Sequence, residues 1–162
     1  MKTIFTSAFI IFFSFTFAQC PAPEVMLKER PKTKVKDPYS VNSQSRSGSV
    51  TSDSRFEMSF IAQQGMDYRL TTKPLKGAVG SVSYEVYEMV VEKKMENNTE
   101  VFKRVKRVLA SSNDAGADPL EFTTDKTRKV FVSMSLTGGD KKKPVCVGIL
   151  LEDKRATKLG FE

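Results

Sequence analysis

Apolar residues recur at every second position over most of the chain's second half. Val130, Val132, Met134 and Leu136 form one such run, and Val145, Val147, Ile149 and Leu151 form the next. Period two is the side-chain repeat of a β-strand with one face buried. The runs are joined by Gly138-Gly139-Asp140-Lys141-Lys142-Lys143-Pro144 and preceded by a short run, Leu120-Glu121-Phe122. This reads as a short strand feeding an antiparallel hairpin, with Val130, Val132, Met134, Val147 and Ile149 buried.

The same pattern continues upstream. Phe56, Met58, Phe60 and Ala62 alternate with Arg55, Glu57, Ser59 and Ile61, and Gln63-Gln64-Gly65 turns the chain. Tyr68, Leu70 and Thr72 alternate with Arg69, Thr71 and Lys73 until Pro74 ends the run. Val82, Tyr84 and Val86 face one way, but Tyr87, Met89 and Val91 carry the apolar set onto the other parity. That switch predicts a bulge near Val86 or burial on both faces. A polar turn around Asn97-Asn98 leads into Val101 to Leu109, where β-branched residues interleave with Lys103, Arg104, Lys106 and Arg107. These two runs form a natural hairpin, with Glu85, Glu88 and Glu92 placed to pair across it with the basic set. The total is seven or eight strands and no convincing amphipathic helix. The expected fold is all-β, an antiparallel β-sandwich or jelly roll over residues 54–162.

The N-terminal third follows different rules. Met1-Lys2 is basic, Ile4 to Phe17 is apolar but for four hydroxyl residues, and Ala18-Gln19-Cys20 follows. That is the layout of a secretory signal peptide, residues 1–19, and it is too short for a membrane anchor. Its Ala-Gln ending resembles signal peptides of the Bacteroidota. The mature chain is then expected to be exported, periplasmic or extracellular, and to have no transmembrane span. Residues 20–53 carry Pro21, Pro23, Pro31 and Pro38, a Lys/Arg run and a Ser-rich stretch. They read as a flexible linker with at most one short edge strand around Val41, Arg46-Ser47-Gly48 and Val50.

Composition narrows the chemistry. The 162 residues carry a net charge of +7, 40% hydrophobic residues, two Cys and no His. One domain with a core is implied. The lack of His excludes His-dependent triads and His-ligated zinc. No cofactor is expected. Asn113-Asp114-Ala115-Gly116-Ala117-Asp118 suggests a calcium loop but reads better as an Asx-rich turn. Asn97-Asn98-Thr99 matches a glycosylation sequon by chance, and Lys141-Lys142-Lys143 reads as a solvated loop tip. Lys103, Arg104, Lys106 and Arg107 are the stronger basic contact patch. On a strand, however, Lys103 and Arg107 share one face and Arg104 and Lys106 the other. Nucleic-acid binding wants aromatics beside the cations, and Phe102 is the only one nearby.

Two functions remain. The first is a non-catalytic binding or envelope-accessory module, contacting an envelope protein or a glycan. The alternative is a glycan-active hydrolase using a pair of carboxylates, which needs two carboxyls facing each other across a cleft. A flat or convex sandwich favours the first.

Cys20 and Cys146 have three fates: a disulfide, a lipid on Cys20, or a free buried thiol at Cys146. Phe17 and Gln19 depart from the usual lipobox, which disfavours the lipid. Cys146 points away from the Val145/Val147 face, within reach of the tail, but the distance the linker must span favours the free thiol.

Taken together, Glu57-Met58-Ser59-Phe60-Ile61-Ala62-Gln63, Gly65-Met66-Asp67-Tyr68-Arg69-Leu70, Tyr84-Glu85-Val86, Leu120-Glu121-Phe122, Val130-Phe131-Val132 and Cys146-Val147-Gly148-Ile149 resemble a family of small secreted Bacteroidota proteins without assigned activity. More distantly, they are similar to jelly rolls of the pre-peptidase C-terminal type. The resemblance implies fold and location and no site residues.

Overall fold

The computed structural model describes residues 20–29, 37–75, 81–97, 99–112, 119–138 and 143–156. The signal-peptide segment, the Asn113–Asp118 turn, Asn98 and Lys141-Lys142 lie outside them.

Among the described residues, nine strands make two antiparallel sheets that pack together: β1 (Ser40–Val41), β2 (Arg46–Val50), β3 (Arg55–Ala62), β4 (Met66–Pro74), β5 (Ser81–Glu96), β6 (Thr99–Ser111), β7 (Leu120–Thr123), β8 (Arg128–Thr137) and β9 (Val145–Arg155). One sheet runs β1-β9-β4-β7, with β2 also on β9; the other runs β3-β8-β5-β6. The all-β sandwich expected from the alternation is what forms. Val130, Val132, Met134, Val147 and Ile149 are all at most 1% exposed. They meet Phe60, Tyr68, Leu70, Val86 and Leu151 in the core between the sheets. Each such side chain contributes about 1.5–3 kcal/mol when fully buried.

The hairpin expected between β8 and β9 does not form, because the two strands lie in different sheets. β8 is central, with β3 paired along one edge and β5 along the other, so neither edge is free for β9. β9 instead pairs with β4 on one side and with β1 and β2 on the other. β8 and β9 therefore belong to opposite sheets. An apolar alternation marks which face is buried, but it does not mark whether the next strand lies beside it or across the core.

The stretch read as a linker is also part of the fold. β2 pairs with β9 through five positions, Arg46↔Ile149 to Val50↔Val145, and Val50 is fully buried. Pro23–Glu29 forms a 3-10 helix. Its Met26, 2% exposed, joins Leu75 and Leu150 in a second apolar cluster on the outer face of β9. There the Met26 methyl lies 3.1 Å from where a Cβ on Gly148 would stand, so a residue without a side chain lets the helix settle. Further along, Asp37 binds Arg69 at 2.5 Å and the Tyr39 ring stacks over the Arg69 guanidinium at 3.9 Å and near the Lys154 amine at 4.6 Å. The N-terminal segment thus covers the outer face of the β1-β9-β4-β7 sheet at both ends.

Cys20 and Cys146 are joined in a disulfide, with Cα atoms 5.4 Å apart. This corrects the expected free thiol. The tail does not float at linker length; it is carried back across β9 by the Met26 packing, which puts Cys20 beside the outward-facing Cys146. A sulfur held in that bond carries no lipid, so the anchor at Cys20 gives way as well.

Candidate binding face

With one outer face covered, the outer face of β3-β8-β5-β6 is the surface left to present. Its rows can be followed through the register. Arg55 lies beside Ser135 and then Ser83; Glu57 beside Ser133 and then Glu85; Ser59 beside Phe131 and then Tyr87. The first two rows form a hydroxyl-rich depression of about 360 Å³, lined by Arg55, Ser83, Glu85, Ser111, Ser133 and Ser135 among others. A second depression of about 400 Å³ lies across Gln44, Arg46, Glu57 and Ser59.

The third row is an aromatic pair. Tyr87 and Phe131 stack with centroids 5.1 Å apart. The Lys106 amine lies 4.2 Å over the Tyr87 ring, and the Lys129 amine 5.0 Å over Phe131. The Tyr87 hydroxyl donates to Glu57 Oε2. Burial, then that hydrogen bond and the Glu57 charge, push the phenol up to about 12.

Each depression is lined by a single carboxylate, Glu85 in the first and Glu57 in the second. The two stand on either side of Ser133 and both are engaged, Glu57 by the Tyr87 hydroxyl and Glu85 by the Lys106 amine. This is not a pair of carboxyls facing each other across a cleft. Among the described residues, no group of three or more His, Cys, Asp and Glu side chains is placed to hold a metal ion.

Beyond Tyr87 the architecture changes. β5 pairs with β8 only from Ser81 to Tyr87, but it pairs with β6 through to Glu96↔Thr99. The nine rungs from Glu88↔Arg107 to Glu96↔Thr99 therefore form a two-stranded ribbon with no third strand among the described residues. Asn97 turns its tip in the left-handed conformation, φ 51°, which Asn tolerates better than most residues. The register shifts between Val86 and Tyr87, where the sequence predicts a bulge. The parity switch has a physical reason. Past this point neither face of β5 lies over the core, and the apolar set moves outward.

Met89, Val91, Met95, Phe102 and Val108 are 45–66% exposed. The register puts all five on one face, four along the ribbon and Val108 at its base across from Tyr87, continuous with Tyr87 and Phe131. Rung by rung, that face couples one apolar and one ionic side chain: Met89 with Lys106, Val91 with Arg104, Phe102 with Lys93, and Met95 with Glu100. Lys93 also bridges Glu100 at 2.5 Å. Within the nine rungs this face carries Lys93, Arg104 and Lys106 against Glu100, a net +2. The opposite face carries Lys94, Lys103 and Arg107 against Glu88, Glu92 and Glu96, a net zero.

The four basic residues singled out from the sequence do not make one patch. The strand separates Lys103 and Arg107 from Arg104 and Lys106, as the alternation predicts. Lys103 bridges Glu96, Lys106 bridges Glu85, and Arg107 bridges Glu88. Arg104 has no ion-pair partner among the described residues. Glu88 sits where the ribbon leaves the sandwich, its side chain 6% exposed, accepting from Arg107 Nε at 2.7 Å and from Arg128 Nη1 at 3.5 Å. Burial alone would raise its pKa, but the Arg107 hydrogen bond and the Arg107 and Arg128 charges outweigh that and hold it below the usual carboxylate range.

The exposed apolar row is not legible in the sequence, because Met89, Val91 and Phe102 look like core residues in any alternating run. The signal available was the parity switch at Val86/Tyr87, which says that the second set faces away from the first. No family model matches the chain, and neither any curated protein nor any solved structure matches it.

Proposed function

We propose that the protein is an exported, non-catalytic binding module of the cell envelope, and that its contact surface is the outward face of β3-β8-β5-β6 together with the projecting ribbon. The observation that carries this reading is the row of exposed large apolar side chains on one face, Met89, Val91, Met95 and Phe102 on the ribbon and Val108 at its base. Scattered exposed apolar residues need no explanation, but a contiguous row rimmed by charges marks an interaction surface. Among the described residues the ribbon faces no packing partner on that side, so the row does not serve the core. Export is supported by the residue pattern of 1–19 and by the Cys20–Cys146 bond, the arrangement an oxidising compartment favours.

The test is retention of the processed protein on an isolated envelope fraction, compared with a Val91→Ser/Phe102→Ser variant. Both side chains are more than 60% exposed, so the variant is expected to keep its thermal midpoint while retention falls sharply. A folded variant retained as well as the parent would overturn the reading.

A further inference from the structure

We infer that the ribbon's outward face docks on an anionic lipid surface; this rests on the reading of that face as the contact surface. Three observations select this occupant. The first is the rung pattern. In the three outward-facing rungs nearest the sandwich an apolar side chain lies directly across from a Lys or Arg: Met89 from Lys106, Val91 from Arg104, Phe102 from Lys93. Apolar groups that enter a headgroup layer need cations whose stems follow them and whose heads stay at the phosphates, and Lys and Arg do both.

The second is charge. Within the nine rungs the outward face is net +2, or +1 with the Glu85 carboxylate that bridges Lys106 counted in, and the opposite face is net zero. An anionic surface therefore selects the face that also holds the apolar row. The chain's overall +7 adds long-range attraction of the same sign.

The third is size. Nine rungs at ~3.3 Å each make a ribbon about 30 Å long. At roughly 10 Å wide, its face offers on the order of 300 Å², well under the ~800 Å² per partner of an ordinary protein–protein interface. A bilayer demands no complementary surface of fixed area. A second copy of the chain is a poor occupant. Stacked on itself, the face brings two net-positive surfaces together. The open edge of β6, with Lys103, Arg104, Lys106 and Arg107 along it, carries the charges that discourage strand-to-strand pairing.

The experiment is flotation of the processed, oxidised protein with two kinds of vesicle, phosphatidylcholine alone and phosphatidylcholine with phosphatidylglycerol. Binding is expected only to the anionic vesicles and is expected to weaken as salt shortens the screening length. Val91→Ser/Phe102→Ser should weaken it more than ~10-fold through lost apolar burial. Arg104→Ser should weaken it ~5-fold, the effect of one cation at the surface. Lys94→Ser removes the same charge from the opposite face and should change binding less than ~2-fold. Equal binding to both vesicle types, or equal losses for Arg104→Ser and Lys94→Ser, would overturn the inference. A ribbon-dependent dimer by sedimentation, with no vesicle binding, would overturn it in favour of a second copy. If vesicles fail while Val91→Ser/Phe102→Ser still abolishes envelope retention, the lipid inference falls and the module reading stands. If the variant changes neither, both fall.

Discussion

Replacing Cys20 and Cys146 together by Ser tests whether the N-terminal segment is built into the domain or merely lies on it. The bond joins residues 126 apart in sequence. On the loop-closure model, opening a loop of that length returns ~5 kcal/mol of chain entropy to the unfolded state, and native disulfides usually contribute about 2–5 kcal/mol. A domain of this size holds roughly 5–15 kcal/mol in all, so the change is a large share of its stability. The packing of Met26 on Leu75 and Leu150 would persist but lose its tether. The assay is equilibrium urea unfolding of the oxidised protein, the reduced protein and the Cys20→Ser/Cys146→Ser variant. The reduced protein and the variant should both lose about 2–5 kcal/mol and agree with each other. A loss under ~1 kcal/mol would show that unfolding does not release the loop, and the reasoning would fail. Alkylation without reduction should add no label to the native protein; two labels would remove the bond itself.

Two further substitutions probe particular contacts. Glu88→Gln removes the buried carboxylate between Arg107 and Arg128 and should cost about 1–3 kcal/mol at neutral pH, discounted because Arg107 is half exposed. Because folding lowers the Glu88 pKa, its contribution is full above the unfolded value near 4.5 and is lost as pH falls through the folded value. The gap between parent and variant in chemical denaturation should therefore close in acid, and a gap independent of pH would contradict it. Gly48→Ala should destabilise by about 1–3 kcal/mol, because its Cβ would overlap the Phe56 ring where β2 passes β3. An unchanged thermal midpoint would show that the ring moves aside freely.

Much of the fold is legible in the residue pattern, and the gaps have physical causes. Phe56 to Ala62, Tyr68 to Thr72 and Val130 to Leu136 declare their buried faces because each strand lies over one core. Pairing is not declared. β8 and β9 carry the same alternation whether they are neighbours in one sheet or face each other across the sandwich, and only the full strand order decides. Pro, Lys and Ser dominate the tail, so its sequence reads as solvent-facing. What anchors it is a few residues, Met26, Tyr39, Val50 and Cys20, each meeting a partner thirty or more residues away. The basic patch was legible as charge but not as geometry, since three of its four members are held by Glu85, Glu88 and Glu96. The apolar row beside Arg104 was hidden because an exposed strand face and a buried one are written in the same residues.

The most direct test of the contact surface uses a photo-crosslinking residue at Val91 and, separately, at Glu92, neighbours in β5 on opposite faces of the ribbon. Each variant is bound to the envelope fraction and irradiated. Adducts are expected from position 91 and not from position 92. Equal yields from both, or adducts from position 92 alone, would contradict the claim that the outward face of the ribbon makes the contact.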